Sequence, residues 1–135
     1  MITITEQVAD QLFEHARQAA PNECCGVLAG KDSGHKTQIT SRYSATNIAE
    51  TTEREYHIDP EELIGIINRI EQTSQSVVGF YHSHPTGPSS PSETDHQQAA
   101  WVDHLYVIVS LDPERIAGWI WTGKTFDKVE IQAMA

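Results

Sequence analysis

Two histidines, His82 and His84, stand one residue apart at the end of an apolar run, and a loop rich in proline, glycine and serine follows them. Side chains alternate faces along a strand, so both imidazoles are expected on one face. The loop then leads to Asp95, a carboxylate near the start of a predicted helix. Two imidazoles and a carboxylate supply three of the four corners of a tetrahedral zinc site. Three protein ligands with an open fourth position are typical of catalytic zinc, which favours a hydrolase.

Each of these residues also has a purely structural interpretation. Ser92 and Asp95 form an S-x-x-D pair, which is a common signature of a helix N-terminus. A single histidine is usually a surface or satisfied core residue, and the chain has seven. A helix cap does not account for two histidines on one face at the start of the same loop, so the combination favours the metal site. We interpret the remaining histidines as structural: His15, His35, His57, His96 and His104.

Length and composition indicate an ordinary globular protein. The 135 residues predict one domain, 1–135, and the apolar content of 39% is that of a typical core-forming chain. No apolar run approaches the roughly 20 residues of a membrane span, and no signal peptide is recognisable at the N-terminus, so a cytoplasmic location is expected. The net charge of −10 argues against a nucleic-acid partner, which normally requires a basic patch.

The two cysteines, Cys24 and Cys25, are adjacent in the chain. They lack the C-x-x-C spacing of a structural zinc site, and a disulfide between neighbours would strain the backbone. We expect both to be small buried residues of a reduced protein. A redox-sensitive thiol beside the active site is the alternative.

Periodicity and turn residues predict interspersed helices and strands. A first helix is capped by Thr5 and ended by Pro21, and a second begins at Asp59 with Pro60 at its first position. A strand over 76–81 delivers the two histidines, and a short helix is predicted over 92–100. The other predicted strands span 24–30, 37–43, 55–58, 105–111, 117–121 and 126–131. The pattern favours an α+β domain, a curved and largely antiparallel sheet with helices on its faces.

The motif residues resemble a known family. The His-Ser-His-Pro sequence at 82–85, followed by Ser92 and Asp95, is similar to the JAMM (MPN-plus) metalloprotease signature, H-[ST]-H-P, a spacer, then S-x-x-D. That family also has an upstream glutamate before a Cys-Gly-aliphatic stretch, and Glu23 with the following residues 24–28 fits this element. The resemblance extends over nearly the whole chain.

The resemblance implies a fold, a cofactor and a set of roles. The fold is the MPN/JAMM architecture, a three-layer arrangement like that of cytidine deaminases. One Zn²⁺ per chain is implied, bound by His82, His84 and Asp95. Glu23 corresponds to the general acid and base acting on zinc-bound water, and Ser92 to the residue that helps hold the oxyanion.

The implied reaction is hydrolysis of a peptide or isopeptide bond after the C-terminal Gly-Gly tail of a ubiquitin-like or sulfur-carrier protein. Small prokaryotic-type members resemble this chain most closely, and several of them release an adduct from a sulfur carrier. The short loop at 85–91 leaves little room for insertions that recognise ubiquitin chains. Two alternatives remain open: a catalytically weak scaffold of the same fold, and a DNA-repair-associated relative. A zinc deaminase of bases would need H-x-E and P-C-x-x-C, which are absent.

Overall fold

The computed structural model describes residues 1–134, which build one eight-stranded mixed sheet and three helices. Across the sheet the strands lie in the order β7-β6-β5-β4-β2-β3-β1-β8. In chain order they are β1 (Ile2–Thr5), β2 (Cys25–Asp32), β3 (Thr37–Ala45), β4 (Ser76–His84), β5 (Leu105–Leu111), β6 (Glu114–Trp121), β7 (Phe126–Val129) and β8 (Ile131–Met134).

The sheet curves until its two ends approach each other. The side chain of Ile131 in β8 occupies the space that a Cβ at Gly118 in β6 would need, so the glycine permits this approach. The β1/β3, β1/β8 and β4/β5 pairs are parallel, and the other four pairs are antiparallel. The predicted α+β class and curved sheet are confirmed, although the antiparallel majority is small.

Helices cover both faces of the sheet. The helices are α1 (Glu6–Ala19), α2 (Pro60–Glu71) and α3 (Glu93–Gln98). As predicted, Thr5 caps α1 by accepting from the Val8 amide, and Asp59 caps α2 by accepting from the Glu62 amide. None of the helices within residues 1–134 combines the length and apolar character that a membrane crossing requires.

Two apolar clusters lie on opposite faces. One contains the buried residues of α1 together with Tyr81, and the other contains Ile66 and Ile70 of α2 together with Phe80. Consecutive residues of β4 therefore face different helices, and His82 follows on the α2 side. Strands β4 and β5 are buried along nearly their whole length, as expected for apolar strands covered on both faces.

Some predicted elements are wrong or incomplete. No strand forms over 55–58; only Ile58 makes an isolated bridge, with Asn47. The Asn47 side chain hydrogen-bonds the Glu55 carbonyl and the His57 amide, so it takes backbone groups that a strand neighbour would use. The segment predicted as one strand over 126–131 divides between β7 and β8, and β1 was not predicted.

Candidate metal centre and active site

Strand β4 carries both histidines and is tied to the segment before β2. Cys25 pairs with His82 in the sheet register. The Cys24 amide donates to the Ser83 hydroxyl at 2.8 Å, and the Ser83 amide donates to the Cys24 carbonyl at 3.1 Å. Ser83 is buried and lies between the two histidines in the sequence. Its two hydrogen bonds fix β4 against Cys24, the residue that follows Glu23.

Three side-chain atoms from two elements converge beside the end of β4. Asp95 Oδ2 lies 3.2 Å from His82 Nε2 and 3.0 Å from His84 Nε2, and the two Nε2 atoms are 3.1 Å apart. In a tetrahedral zinc site with bonds of about 2.0–2.1 Å, neighbouring ligand atoms are about 3.3 Å apart. The observed triangle therefore has nearly the size that a zinc ion requires.

Hydrogen bonding around His84 favours a cation inside this triangle. His84 Nδ1 is 2.7 Å from the Pro88 carbonyl, which can only accept, so Nδ1 carries the proton. In neutral His84 the Nε2 atom then presents a lone pair to the carboxylate oxygen of Asp95. Two lone pairs at this distance repel each other unless a proton or a metal ion lies between them, and the donor set fits zinc.

The pKa values of His84 and Asp95 reflect their mutual attraction, whereas that of His82 reflects its burial. Burial acts against charged His84, but hydrogen bonds to Asp95 and to the Pro88 carbonyl outweigh it, so the pKa of His84 is raised. Burial would likewise raise the pKa of Asp95, but hydrogen bonds with both imidazoles hold it well below its ordinary value. Burial is the main reason that the pKa of His82 is lowered.

Glu23 lies just before β2, with its carboxylate close to the two histidines. Its amide donates to the Thr52 carbonyl at 2.7 Å, and Asn47 Nδ2 donates to its carbonyl at 3.0 Å. Its carboxylate and the ligand atoms of His82 and His84 all lie within 4.8 Å of one another. Two ligand sets are thus geometrically available, one with Glu23 and one with Asp95. The distances to Asp95 match zinc coordination, and Glu23 stands within reach of the same two imidazoles.

The Glu23 side chain is buried without a full complement of partners. Within residues 1–134 its Oε1 atom has no hydrogen-bond partner. Chiefly because of burial, with a further contribution from Asp95 opposed by His84, the pKa of Glu23 is raised to about 8. A buried carboxyl group that is readily protonated near neutral pH is suited to general acid and base chemistry.

Ser92 is the N-cap of α3, and the cap positions Asp95. The Asp95 amide donates to Ser92 Oγ at 3.1 Å, and the Ser92 amide donates to Asp95 Oδ2 at 2.9 Å, which completes a capping box. The structural interpretation of this pair is therefore correct, and it coexists with the metal interpretation. The Ser92 oxygen accepts in the cap, so its hydroxyl proton remains free to be donated.

Comparison with models of known protein families identifies the family of this chain. Residues 5–122 match the family model described as "Prokaryotic homologs of the JAB domain". The chain belongs to the prokaryotic JAB family. The resemblance deduced from the histidine motif is thereby confirmed.

Relatives of this JAB chain include named peptidases. A desampylase from Haloferax volcanii is 37% identical over 134 residues, which cover 96% of this chain and 94% of the relative. A CysO-cysteine peptidase from Mycobacterium tuberculosis is 32% identical over 116 residues, covering 85% and 77% of the two chains. Protein DSY2949 from Desulfitobacterium hafniense, a solution structure, superposes with a TM-score of 0.91 at 28% identity, covering 99% of this chain and 93% of that one.

A cleft opens from the JAB site to solvent. It has a volume of about 420 Å³ and is lined by Glu23, His84, Ser92, Arg54 and much of the loop between the histidines and α3. A smaller cavity of about 150 Å³ is lined by Tyr56, Phe80, Trp101 and neighbouring residues. The larger cleft contains the chemistry-bearing groups, whereas four of the nine residues that line the smaller cavity are Tyr, Phe or Trp.

Sequence reasoning missed the residues that support the site from outside the motif. The Tyr56 ring stacks on His82 with centroids 4.4 Å apart. Trp119 Nε1 donates to the Ser89 carbonyl at 3.1 Å, next to the Pro88 carbonyl that orients His84. Neither residue belongs to a recognisable motif, and the strand over 55–58 had been predicted as ordinary sheet.

The cysteines do not form part of the metal cluster. Both are free and buried, as predicted. Burial raises the pKa of the Cys25 thiol to about 12 and also raises that of Cys24. A protonated buried thiol is a poor nucleophile, which weakens the redox alternative.

Proposed function

We propose that this chain is a zinc-dependent hydrolase that cleaves a peptide or isopeptide bond after the C-terminal Gly-Gly tail of a ubiquitin-like or sulfur-carrier protein. The observation that carries the proposal is the convergence of His82, His84 and Asp95 on one point beside the buried Glu23 carboxylate. The names of the relatives, a desampylase and a CysO-cysteine peptidase, support the reaction class and the kind of substrate.

His82, His84 and Asp95 would hold one Zn²⁺. When bound at such a site, zinc lowers the pKa of a coordinated water to about 7 and polarises a substrate carbonyl. The protein contributes orientation: the Pro88 carbonyl fixes the His84 tautomer, and the Ser92 amide directs the Asp95 oxygen. Such supporting hydrogen bonds hold ligands in their metal-binding geometry.

Glu23 would act as the proton carrier. Its carboxylate takes a proton from the attacking water and then delivers a proton to the leaving amine, so that the departing group is neutral. A pKa of about 8 in the absence of a metal ion means that the protonated form is accessible near neutral pH. A nearby cation favours the carboxylate and would prepare it to act as a base.

Ser92 would donate its free hydroxyl proton to the oxyanion that develops on the scissile carbonyl. The cap fixes Ser92 Oγ by the bond from the Asp95 amide, so little reorganisation is needed during the reaction. A donor fixed in advance stabilises the transition state more than the ground state.

The burial of the reacting groups agrees with a glycine-containing tail. His82 is 2% exposed and Glu23 is 5% exposed, so a scissile bond reaches them only if its backbone comes very close. Glycine permits this approach because it has no Cβ. The net charge of −10 gives no support for a nucleic-acid substrate, and two reduced cysteines agree with a cytoplasmic reaction.

The test is to incubate zinc-loaded protein with sulfur-carrier proteins that bear extensions beyond Gly-Gly and to locate cuts by mass spectrometry. We expect cleavage directly after the second glycine. The Glu23→Gln variant is the matched control, and it should bind zinc normally yet lose roughly a thousandfold in kcat. Wild-type turnover in this variant would show that Glu23 is not the proton carrier. Tight binding of the carriers without any cleavage would favour the scaffold alternative.

A further inference from the structure

Charged side chains line the cleft unevenly. Three glutamates, Glu23, Glu53 and Glu93, border it, and they are accompanied by one arginine, Arg54. The whole chain has nine lysines and arginines against nineteen acidic residues. Arg54 is therefore a positive charge in a mostly acidic cleft, and the groups around it indicate what it could bind.

The backbone places Arg54 on the Glu23 side of the cleft. The Thr52 carbonyl accepts from the Glu23 amide at 2.7 Å, and the amides of Arg54 and Glu55 both donate to the Thr51 carbonyl at 3.1 Å. A turn over residues 51–55 is thus attached directly to the segment that carries Glu23. Arg54 extends from this turn into the same cleft.

Arg54 has no partner of its own within residues 1–134. No carboxylate lies within 4.0 Å of its guanidinium in this part of the chain, despite the glutamates nearby. Arg17 shows the contrast, because it is paired with both Glu14 and Glu114. Arg54 is exposed, so its planar fork of donors is available to a carboxylate from outside the protein.

We propose that Arg54 binds the α-carboxylate of a single amino acid joined to the Gly-Gly tail, and so selects α-linked C-terminal adducts over isopeptides. This inference rests on the proposed function and specifies its substrate. Glu23 delivers a proton to the nitrogen of the scissile amide, and in an α-linked adduct the carboxylate is attached to the carbon that carries this nitrogen. A guanidinium that lines the same cleft as Glu23 can therefore reach that carboxylate. In a lysine isopeptide the corresponding group lies beyond the methylene chain and is itself an amide.

The chemical step is unchanged by this contact. Water adds to the glycine carbonyl, the carbon–nitrogen bond breaks, and the tail leaves with a free carboxylate. The nitrogen keeps its hydrogen, gains a proton through Glu23, and departs as the amine of a free amino acid. Arg54 neutralises the carboxylate that would otherwise approach three glutamates.

The experiment compares three substrates on one sulfur carrier: Gly-Gly-Ala with a free carboxylate, the same extension as a carboxamide, and Gly-Gly joined to the lysine Nε of a short peptide. We expect the wild-type enzyme to prefer the carboxylate over the carboxamide by roughly tenfold to a hundredfold in kcat/KM, the range for a hydrogen bond to a charged group. Arg54→Gln should lower kcat/KM for the carboxylate by the same factor and leave the carboxamide unchanged. Arg54→Lys should restore part of the preference.

Lys124→Gln is the matched control, since it removes one exposed positive charge at the β6–β7 turn and should change nothing. Equal cleavage of carboxylate and carboxamide by the wild-type enzyme, or a preference for the isopeptide, would overturn the role of Arg54 and leave the hydrolase intact. Cleavage of none of the three substrates would instead contradict the proposed function itself.

Discussion

Tyr81 and His82 are neighbours in β4 but face opposite sides of the sheet. The histidines on the two sides differ in their hydrogen bonding. On the α1 side, the Tyr81 hydroxyl lies 2.8 Å from His15 Nδ1. The Tyr81 ring is fully buried over Gly26, where a Cβ would collide with it. The hydroxyl and the Nδ1 atom form one hydrogen bond, so this ring nitrogen is satisfied by the protein alone.

On the α2 side, the side chains do not pair off into separate hydrogen bonds. His82, His84 and Asp95 direct three atoms at one point, and His82 Nδ1 has no partner within residues 1–134. The comparison teaches that the proposed metal ligands differ from a structural histidine in two respects. His82 and His84 are buried and direct two ring nitrogens at one carboxylate oxygen, whereas the half-buried His15 pairs one ring nitrogen with one hydroxyl.

The largest expected effect separates the two histidine environments directly. His84→Ala should abolish stoichiometric zinc binding and measurable hydrolysis, because it removes one of the three proposed ligands. His15→Gln should bind zinc and hydrolyse substrate like the wild type. Zinc content by mass spectrometry under native conditions, together with turnover, measures both. Loss of zinc from His15→Gln would erase the contrast between the two sides of β4.

A second prediction concerns the residue that has both a structural and a chemical interpretation. If Ser92 donates to the oxyanion, Ser92→Ala should lower kcat by roughly a hundredfold or more. Ser92→Asp is the informative companion, since aspartate caps a helix equally well but has no hydroxyl proton to donate. We expect both variants to be impaired in steady-state turnover, whereas Ser92→Thr should retain most activity. Full activity in Ser92→Asp would reduce Ser92 to a helix cap.

The sequence predicted the parts of this molecule that local rules determine. The caps at Thr5 and Asp59, the apolar strands and the same-face histidines all follow from short-range patterns, and the structure has them. The cluster of His82, His84 and Asp95 was also predicted, because one short loop joins the strand and the helix that carry its members. Glu23 came from the family resemblance rather than from spacing, since nothing local relates it to a residue so far along the chain.

The rest depended on contacts between distant segments. Asn47 replaces a strand over 55–58 by hydrogen-bonding its backbone with a side chain, which no alternation of residue types reveals. The Tyr56–His82 stack and the Trp119–Ser89 bond likewise join segments well separated in sequence. These supporting residues are of common types and belong to no motif, so only the fold shows their connection to the site.

A third prediction tests how far this support extends from the proposed metal ligands. Trp119→Phe removes the indole donor to Ser89 and should loosen the loop whose Pro88 carbonyl orients His84. We expect zinc affinity to fall by about tenfold, the lower end for groups that act through a ligand. Competition with a chelator provides the measurement, and Trp101→Phe, in the aromatic cluster with Phe80, is the control. Unchanged zinc affinity in Trp119→Phe would mean that Trp119 does not support His84 and that the Pro88 carbonyl is enough to orient it.

The smallest effect belongs to the satisfied histidine and appears in stability rather than in activity. Replacing His15 by glutamine should lower the free energy of unfolding by about 1 kcal/mol at pH 7.5, through loss of the bond to Tyr81. Burial, aided by the Arg42 charge, lowers the pKa of His15 below its ordinary value of 6.5. The unfolded chain therefore takes up a proton at His15 more readily than the folded chain. The contribution of His15 to the free energy of unfolding is consequently lost as the pH falls below that value.

The deficit in the free energy of unfolding of His15→Gln relative to wild type should accordingly be smaller at pH 5.5 than at pH 7.5, measured by urea unfolding of the metal-free proteins. A deficit that grew on acidification would mean that His15 is charged in the folded protein, and the two sides of β4 would then resemble each other more than their hydrogen bonds indicate.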